Sequence, residues 1–400
     1  MKYNWKRNTI IFLASQSISL FGSSVVQFAI TSYITVTTKS GLYATLSIIC
    51  AILPMFFLSP VGGVWADKYN RKMLIVLSDA GIALCTLGVA IAFLMGKESI
   101  AYLFIALIIR AVGGAIQTPC VGAMLPDIVP PEHLARINGI NGTLQSVFTL
   151  ASPMLGAALL PIAPLGVIFF VDIITAMIGV TIMVTAFVLP QKERIDKKAS
   201  DFFQDIKLGV RYIRNTRFLM EFFLFCLIFF IMMAPAAFLT PIQVVRNYGD
   251  GYWRLSAIEV AFSVGMIVGG ILITIWSGFK NKVTTMIAAA LIMGMCTIGL
   301  GIPMPFFPYT IIMGAFGLAM PILNTPAMTL LQEKVDPDYM GRVFGVMTMI
   351  NTAMMPLGMV IFGPLADVVS VEILLIGTGV ITVAAAVMMR AAKALIKEGV

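Results

Sequence analysis

Charged residues are scarce in this chain, and that scarcity excludes most soluble proteins. Asp, Glu, Lys and Arg make up 12% of the 400 residues, whereas 59% are hydrophobic and the mean hydropathy is +0.97. Soluble domains carry about 25% charged residues. The composition therefore indicates a membrane protein and excludes a disordered or fibrous chain.

The side chains and motifs of common enzyme sites are also rare. The single histidine, His133, falls in a loop, and the five cysteines lie singly in apolar runs without a CxxC pair. This arrangement predicts neither a disulfide framework nor a zinc site. The chain has no Gly-x-x-x-x-Gly-Lys-[Ser/Thr] motif, so ATP hydrolysis would need a partner chain. We therefore expect no enzyme activity, no metal and no cofactor.

Long apolar runs are the most abundant feature. A helix needs about 20 apolar residues to cross a bilayer, and we count twelve stretches of this kind along the sequence. They are continuously apolar rather than alternating, which favours helices, the elements that satisfy their own backbone in lipid. The sequence predicts an all-α polytopic protein of the cell membrane with twelve transmembrane helices.

The basic residues predict the orientation. The net charge is +8, and with the N-terminus in the cytoplasm 22 of the 27 Lys and Arg residues fall in cytoplasmic segments and four outside. Such a bias is the usual topology signal of a membrane protein. We therefore expect both termini in the cytoplasm, and we interpret the positive charge as loop anchors rather than as a nucleic-acid surface.

The predicted spans form two six-helix bundles, residues 1–191 and 218–400. The linker between them, residues 192–217, contains an amphipathic segment that predicts a helix lying flat on the membrane surface. The apolar face of this helix comprises Phe202, Phe203, Ile206, Val210 and Ile213.

A repeat relates the two halves. The segment from Ile128 to Gly139 matches the segment from Lys334 to Gly345 at a constant spacing of 206 residues. The matched positions include Pro131 with Pro337, Arg136 with Arg342 and Gly139 with Gly345. Repeated halves with a cavity between them are typical of secondary transporters.

The loop after the second span resembles a signature of the major facilitator superfamily. It runs from Gly62 to Lys72 as GGVWADKYNRK, with Asn70 in place of the usual glycine. The resemblance implies a cytoplasmic gate, in which Asp67 faces the start of span 11 and Gly63 lets helices approach closely. The gate residues would be Gly63, Asp67, Arg71, Lys72 and Arg342. Alternatively, the basic residues only anchor the loop.

Two further motifs resemble proton-coupled members of this superfamily. Span 4 contains Arg110-Ala-Val-Gly-Gly, similar to their Arg-x-x-x-Gly motif. Span 5 contains Ser152-Pro-Met-Leu-Gly-Ala157, similar to the Gly-Pro-x-x-Gly-Gly motif of drug:proton antiporters, with two glycines replaced. A structural ion pair of Arg110 and simple helix packing around Ser152 are the alternatives.

The acids inside the spans are candidates for proton coupling. Charged groups at membrane depth are costly and mark functional sites. We assign proton coupling to Asp79, Arg110, Asp172 and Glu259; helix–helix hydrogen bonding is the alternative. Glu221 lies four residues after Arg217, so we expect a surface ion pair there.

The substrate cavity is predicted from the resemblance alone. In the superfamily, spans 1, 4, 7 and 10 line the cavity. The residues of those spans that we assign to it are Gln16, Gln27, Gln117, Asn324, Phe225 and Phe229. For the two aromatic residues, packing or lipid contact is the alternative.

The segments from Tyr3 to Lys6 and from Gln332 to Phe344 resemble the bacterial macrolide-efflux branch, which is also similar to enterobactin exporters. This resemblance implies an antiporter that exports a drug-like compound, a macrolide-type antibiotic, by alternating access and is driven by the proton gradient. Its partners would be the lipid bilayer, a small organic substrate and protons, and we expect a monomer. The alternatives are a carrier of the same fold for an endogenous metabolite, siderophore or lysolipid, an ATP-driven permease subunit, and a receptor or channel.

Overall fold

The computed structural model describes residues 4–188, 202–249 and 251–399, with the backbone alone for residues 135, 202–206 and 337–338. All regular structure in these ranges is α-helical, as the sequence predicts. The helices are α1 (Trp5–Thr38), α2 (Gly41–Lys68), α3 (Arg71–Leu94), α4 (Ile100–Ile128), α5 (Pro131–Leu159), α6 (Leu165–Thr185), α7 (Phe202–Asn215), α8 (Arg217–Phe238), α9 (Thr240–Tyr248), α10 (Tyr252–Trp276), α11 (Lys282–Leu300), α12 (Phe306–Lys334), α13 (Pro337–Leu365), α14 (Val371–Met389) and α15 (Lys393–Glu398).

Eleven helical segments in the described part of the chain are long and apolar enough to cross a membrane. One of these segments joins α8 and α9 into a single stretch, Arg217–Tyr248. The remaining predicted span, α5, is 29 residues long but less apolar, because it carries Asn138, Asn141 and Gln145. Amide side chains at these positions lower its hydropathy without preventing the helix.

The repeat seen in the sequence extends to the helix boundaries. At the same spacing of 206 residues, α4 and α12 correspond at both ends, and so do α5 and α13. The first residues of α6 and α14 also correspond. The last residues of α3 and α11 correspond as well, so residues of α3 to α6 have counterparts in α11 to α14.

The chain forms two compact units. The first comprises Met1–Thr38 and Leu46–Ile195. In it, α6 packs against α1 and α3, α3 packs against α4, and α1 packs against α5. A buried cluster built around Phe12, Ile75 and Met124 joins α1, α3 and α4.

The second unit comprises Lys39–Thr45 and Asp196–Val400. Here α12 packs against α10 and α11, α14 packs against α8 and α11, and α13 packs against α8. The predicted boundary at residues 191 and 192 lies outside the described residues, and the predicted domain limits stay predictions.

The linker contains the predicted amphipathic helix, α7, but one side of this helix contacts protein. It packs against α13 and α8 of the second unit. Ile213 of the predicted apolar face is 6% exposed in this contact, while Val210 is 40% exposed. The side chains of the other three residues of that face lie outside the described side chains. The face that docks on protein therefore differs from the predicted one by part of a turn.

The short C-terminal helix α15 is fastened to the second unit. Leu395 is fully buried, and its backbone N–H donates to Glu221 Oε2 over 3.1 Å. Asn281 Nδ2 donates to the carbonyl of Ile396 over 2.7 Å. The predicted ion pair between Arg217 and Glu221 is confirmed at 3.2 Å, so Glu221 serves two partners.

Candidate functional site

A buried ion pair joins α4 to α6 inside the first unit. Arg110 Nη1 lies 2.5 Å from Asp172 Oδ2. Arg110 is 7% exposed and Asp172 is 1% exposed. A buried charge is tolerated when an opposite charge and hydrogen bonds compensate for lost water. The structure thus brings together two of the residues assigned to proton coupling.

Hydrogen bonds from α1 and α3 complete this pair. Thr86 Oγ1 donates to Asp172 Oδ2 over 3.0 Å, and Ser23 Oγ donates to Asp172 Oδ1 over 3.0 Å. Arg110 Nη2 donates to the carbonyl of Ser23 over 2.6 Å, and Arg110 Nε donates to Gln27 Oε1 over 3.4 Å. Because four helices supply these groups, the pair is held in one geometry.

A second polar cluster surrounds Asp79 on α3. Ser19 Oγ donates to Asp79 Oδ1 over 2.7 Å, and Gln117 Nε2 donates to the same oxygen over 2.9 Å. Gln117 Nε2 also lies 3.4 Å from Gln16 Oε1. Gln16 and Gln117, assigned to the substrate cavity, are both half-buried. The cluster therefore links a buried acid to two residues of the predicted cavity.

Asp79 and Asp172 differ in their compensation. Asp79 is 5% exposed, yet in residues 4–188, 202–249 and 251–399 no Lys or Arg forms an ion pair with it. Burying a carboxylate without a cation is unfavourable. Binding a proton would neutralise the carboxylate. Asp79 is thus the acid of this unit whose surroundings suit reversible protonation.

One face of α1 connects the two clusters. Gln16, Ser19, Ser23 and Gln27 are spaced by three or four residues, which places them along a single face of a helix. Ser19, Ser23 and the Thr86 hydroxyl were absent from the sequence prediction. The polar stripe on α1 is the signal that could have identified the two serines.

The second unit does not repeat this polar interior. At the spacing of 206 residues, the counterparts of Asp79, Arg110 and Asp172 are Thr285, Phe316 and Thr378. The Thr378 hydroxyl donates to the carbonyl of Leu374 in its own helix over 2.8 Å. None of these counterparts carries a charge. The Arg110–Asp172 pair and the Asp79 cluster therefore have no charged counterparts at the repeat-related positions of the second unit.

Glu259, the fourth residue assigned to proton coupling, lies on α10 of the second unit. It is half-buried, and its carboxylate forms no hydrogen bond or ion pair with any described residue. The structure does not bring it together with the Arg110–Asp172 pair or with Asp79. Its assignment stays a prediction.

The other predicted cavity residues also lie in the second unit. Phe225 and Phe229 are 6% and 1% exposed, and their rings stack with centroids 5.5 Å apart. Both therefore contribute to the bundle core. Asn324 is half-buried, and its Nδ2 lies 3.8 Å from Met320 Sδ. The assignment of these three residues to the cavity stays a prediction.

A cleft of about 550 Å³ opens in the second unit. It contains none of the predicted site residues; its lining is Asn247, Tyr248, Pro303, Met304, Ser370 and Glu372. The Glu372 carboxylate accepts hydrogen bonds from Asn247 Nδ2 over 2.6 Å and from Gln243 Nε2 over 3.2 Å. These bonds give the carboxylate a structural role at the start of α14.

Arg71, which the sequence assigns to the gate, joins three helix ends in the first unit. Its guanidinium pairs with Asp127 at the end of α4 and, over 3.3 Å, with Asp67 at the end of α2. It also donates to the carbonyls of Ala66 and Ala123, each over 2.8 Å. Asp127 was not identified from the sequence, although an acid directly before the repeated loop segment is a visible partner for a basic loop.

Lys72 and Gly63 are two further residues that the sequence assigns to the gate. Lys72 Nζ donates to the carbonyl of Phe187 over 2.7 Å, just beyond the end of α6, where a cation is favourable. The expectation that Gly63 permits a close helix approach is wrong, since a Cβ there would meet nothing within 4 Å. Gly62 makes that approach, with its Cβ position 2.1 Å from the carbonyl oxygen of Ala115 on α4. The predicted latch between Asp67 and Arg342 stays a prediction.

Two repeated bundles of apolar helices, one with a buried network of charged and polar groups, define a polytopic membrane protein of the transporter class. A model of the Major Facilitator Superfamily matches residues 12–359. The chain belongs to this superfamily, and the all-α fold predicted from the resemblance is confirmed.

The chain is similar to bacterial efflux proteins over nearly its whole length. It is 28% identical over 389 residues to macrolide efflux protein A of Streptococcus pyogenes, covering 96% of each chain. It is 25% identical over 382 residues to the multidrug efflux pump Tap of Mycobacterium bovis, covering 90% of this chain and 86% of the relative.

A solved structure confirms the fold. A bacterial homolog of the human lysosomal transporter Spinster, crystallised in an inward-facing and unoccupied conformation, matches with a TM-score of 0.71. The two chains share 15% identity and cover 98% of each other.

Proposed function

We propose that this protein is an antiporter of the cell membrane that exports drug-like organic compounds, of the macrolide antibiotic type, in exchange for protons. Both termini would lie in the cytoplasm, and transport would follow alternating access. In cells the activity would appear as antibiotic resistance. The driving force is the proton gradient, so the protein itself needs no cofactor.

One observation carries this proposal. Asp79 is buried without a basic partner, and Gln117 links it to Gln16 in the predicted cavity. A proton site and a candidate substrate contact therefore share one side chain. Such sharing is what coupling requires, because each ligand must change the affinity for the other.

The direction of coupling follows from hydrogen-bond polarisation. A substrate that donates a hydrogen bond to the carbonyl oxygen of Gln117 strengthens the donation from Gln117 Nε2 to Asp79, because hydrogen bonds in a chain reinforce one another. Stronger donation favours the ionised carboxylate. Substrate binding then releases the proton, and proton binding weakens the hold on substrate, as antiport demands.

The Arg110–Asp172 pair has a different role in this proposal. Its cation and its anion compensate each other, so it holds α1, α3, α4 and α6 in register rather than exchanging protons. Gln27 and Ser23 extend the pair to the polar face of α1. A shift of this face on substrate binding would therefore reach both clusters.

The substrate class rests on the relatives. Those named macrolide efflux protein A and multidrug efflux pump Tap support a macrolide or another drug-like compound as the cargo. Their identities of 28% and 25% leave room for a different cargo on the same fold.

Transport into everted membrane vesicles tests the proposal. Respiring vesicles acidify their lumen, and labelled erythromycin is expected to accumulate inside only while that pH gradient persists. Addition of erythromycin is expected to dissipate part of the gradient, reported by an acridine dye. An ionophore that collapses the gradient should abolish accumulation, whereas vanadate should have no effect.

Vesicles without the protein and vesicles with Glu98→Gln are the controls, since Glu98 is an exposed acid outside both clusters. Accumulation that survives loss of the gradient would contradict proton coupling. If a lysolipid or a siderophore dissipates the gradient and no macrolide does, the carrier for an endogenous compound replaces the drug exporter.

A further inference from the structure

The linker helix α7 is docked on the first turn of α13. A Cβ at Gly209 would lie 3.0 Å from the carbonyl oxygen of Arg342, so the two backbones are in close approach. The Tyr212 ring stacks on the Tyr339 ring, with centroids 4.3 Å apart and planes within 8° of parallel. The backbone N–H of Asp336 donates to the Tyr212 hydroxyl over 3.3 Å.

The same tyrosine that receives α7 also contacts the gate arginine. The Arg342 guanidinium lies 5.5 Å from the centroid of the Tyr339 ring, a cation–π distance. Tyr339 and Arg342 are three residues apart on α13, which places them on one face of the helix. Tyr212, Tyr339 and Arg342 thus form a continuous chain of contacts.

Gly209 contributes to the same arrangement through the backbone. The carbonyl carbon and Cβ of Arg342 each lie 3.2 Å from the Cβ position of Gly209. A Cβ there would make a tight contact, and the backbone of α7 or α13 would have to shift by a few tenths of an ångström. Gly209 and Tyr212 are three residues apart and face α13 together. The linker therefore fixes both the backbone of Arg342 and the ring under its guanidinium.

We propose that α7 is a positioning element for Arg342, with Tyr212 acting through Tyr339. The linker holds the guanidinium in one orientation at the start of α13, where the superfamily resemblance implies a cytoplasmic gate residue. This inference rests on the proposed transport function. It assigns a role in transport to a helix that would otherwise only connect the two halves.

A double-mutant cycle on transport tests the chain of contacts. Tyr212→Ala is expected to lower the initial rate of gradient-driven erythromycin uptake into proteoliposomes about two- to tenfold, the range of an aromatic contact. Tyr212→Phe keeps the stack and is expected to stay within about twofold of wild type. Arg211→Ala is the matched control, because Arg211 is an exposed neighbour on α7.

The decisive comparison is with Arg342→Ala. If Tyr212 acts through Arg342, the double variant is no slower than Arg342→Ala alone, because contacting residues that act as a unit are not additive. Effects of the two substitutions that multiply would overturn the inference. A wild-type rate for Tyr212→Ala would overturn it as well.

Hydrogen exchange gives a readout that does not depend on transport. Backbone amides of residues 339–345 are expected to exchange faster in Tyr212→Ala and at the wild-type rate in Tyr212→Phe. Unchanged exchange in Tyr212→Ala would overturn the docking. If Tyr212→Ala does not fold, Gly209→Ala serves in its place, because its Cβ would press on the backbone of Arg342 at 3.0 Å.

The two readouts also separate this inference from the proposed function. If the wild-type protein transports no erythromycin, the proposed function is wrong. Hydrogen exchange still shows in that case whether α7 orders the start of α13. If the wild-type protein transports erythromycin and the effects of the Tyr212 and Arg342 substitutions multiply, only the positioning role is wrong.

Discussion

Arg110 and Asp172 form an ion pair across the interior of the first unit, with 2.5 Å between Nη1 and Oδ2. The pair lies on α4 and α6, and Thr86, Ser23 and Gln27 form further hydrogen bonds with it. Asp79, the neighbouring buried acid, differs from Asp172 because no Lys or Arg among the described residues forms an ion pair with it. The two buried acids in the helix interiors of the first unit therefore differ in their partners: Asp172 has a cation, and Asp79 has hydrogen-bond donors alone among the described residues.

Breaking the ion pair is expected to destabilise the protein. Arg110→Ala leaves Asp172 buried and uncompensated, which costs about 3–5 kcal/mol. Replacing both residues, as Arg110→Met with Asp172→Leu, is expected to restore most of the stability, because apolar side chains of similar volume need no compensation. Thermal unfolding in detergent measures both effects. A double variant as unstable as Arg110→Ala would show that lost packing, and not the unpaired charge, is the cause.

Adjacent glycines on α2 are expected to respond differently to the same substitution. Gly62→Ala places a Cβ 2.1 Å from the carbonyl oxygen of Ala115, so α2 and α4 must separate. Overpacking of this kind costs about 1–3 kcal/mol. Gly63→Ala meets nothing within 4 Å and is expected to change stability by less than about 0.5 kcal/mol. Equal melting temperatures for the two variants would contradict the close approach at Gly62.

Asp367 provides a pH-dependent contact in the second unit. Its carboxylate accepts from the Ser40 hydroxyl over 2.7 Å, from the backbone N–H groups of Gly41 and Leu42 over 2.8 and 3.0 Å, and from Arg246 over 2.9 Å. Burial on its own would raise the pKa of Asp367, but these hydrogen bonds outweigh it and lower the pKa below its ordinary value. The bonds favour the charged form.

The sign of the pH effect follows. A lowered pKa means that the stabilisation is complete above the unfolded pKa of about 3.9 and is lost as the pH falls through the folded pKa. Asp367→Ala is therefore expected to cost about 0.5–1 kcal/mol at pH 7, since solvent screens this exposed carboxylate, and progressively less below about pH 4. Unfolding of both proteins across this pH range measures the difference. A difference that does not change with pH would contradict the assignment.

The charged residues of the site could be predicted because the rest of each span is apolar. Arg110, Asp79 and Asp172 are conspicuous exceptions in hydrophobic sequence, and their cost at membrane depth marks them. Their partners could not be predicted in the same way. Whether Arg110 meets Asp172 or Asp79 depends on how α4 packs against α3 and α6, and no spacing along one helix contains that information.

The loop from Gly62 to Lys72 also contains a contact that the sequence could not predict. Gly62 and Gly63 are neighbours in sequence, but one residue rotates a helix by about 100°, so only one of them faces α4. The motif contained both, and the structure selects Gly62. The amphipathic pattern of α7 predicted its helix but not its packing against α13, because α13 belongs to a distant part of the chain.

The central claim is that Asp79 is the proton carrier. Substrate-evoked proton release from proteoliposomes, measured with a pH-sensitive dye for wild type, Asp79→Asn and Glu98→Gln, tests it most directly. Asparagine can still accept from Ser19 and Gln117 but cannot ionise, so Asp79→Asn is expected to equilibrate erythromycin down its own gradient without releasing protons, while wild type and Glu98→Gln release them. Proton release from Asp79→Asn at the wild-type level would contradict the account.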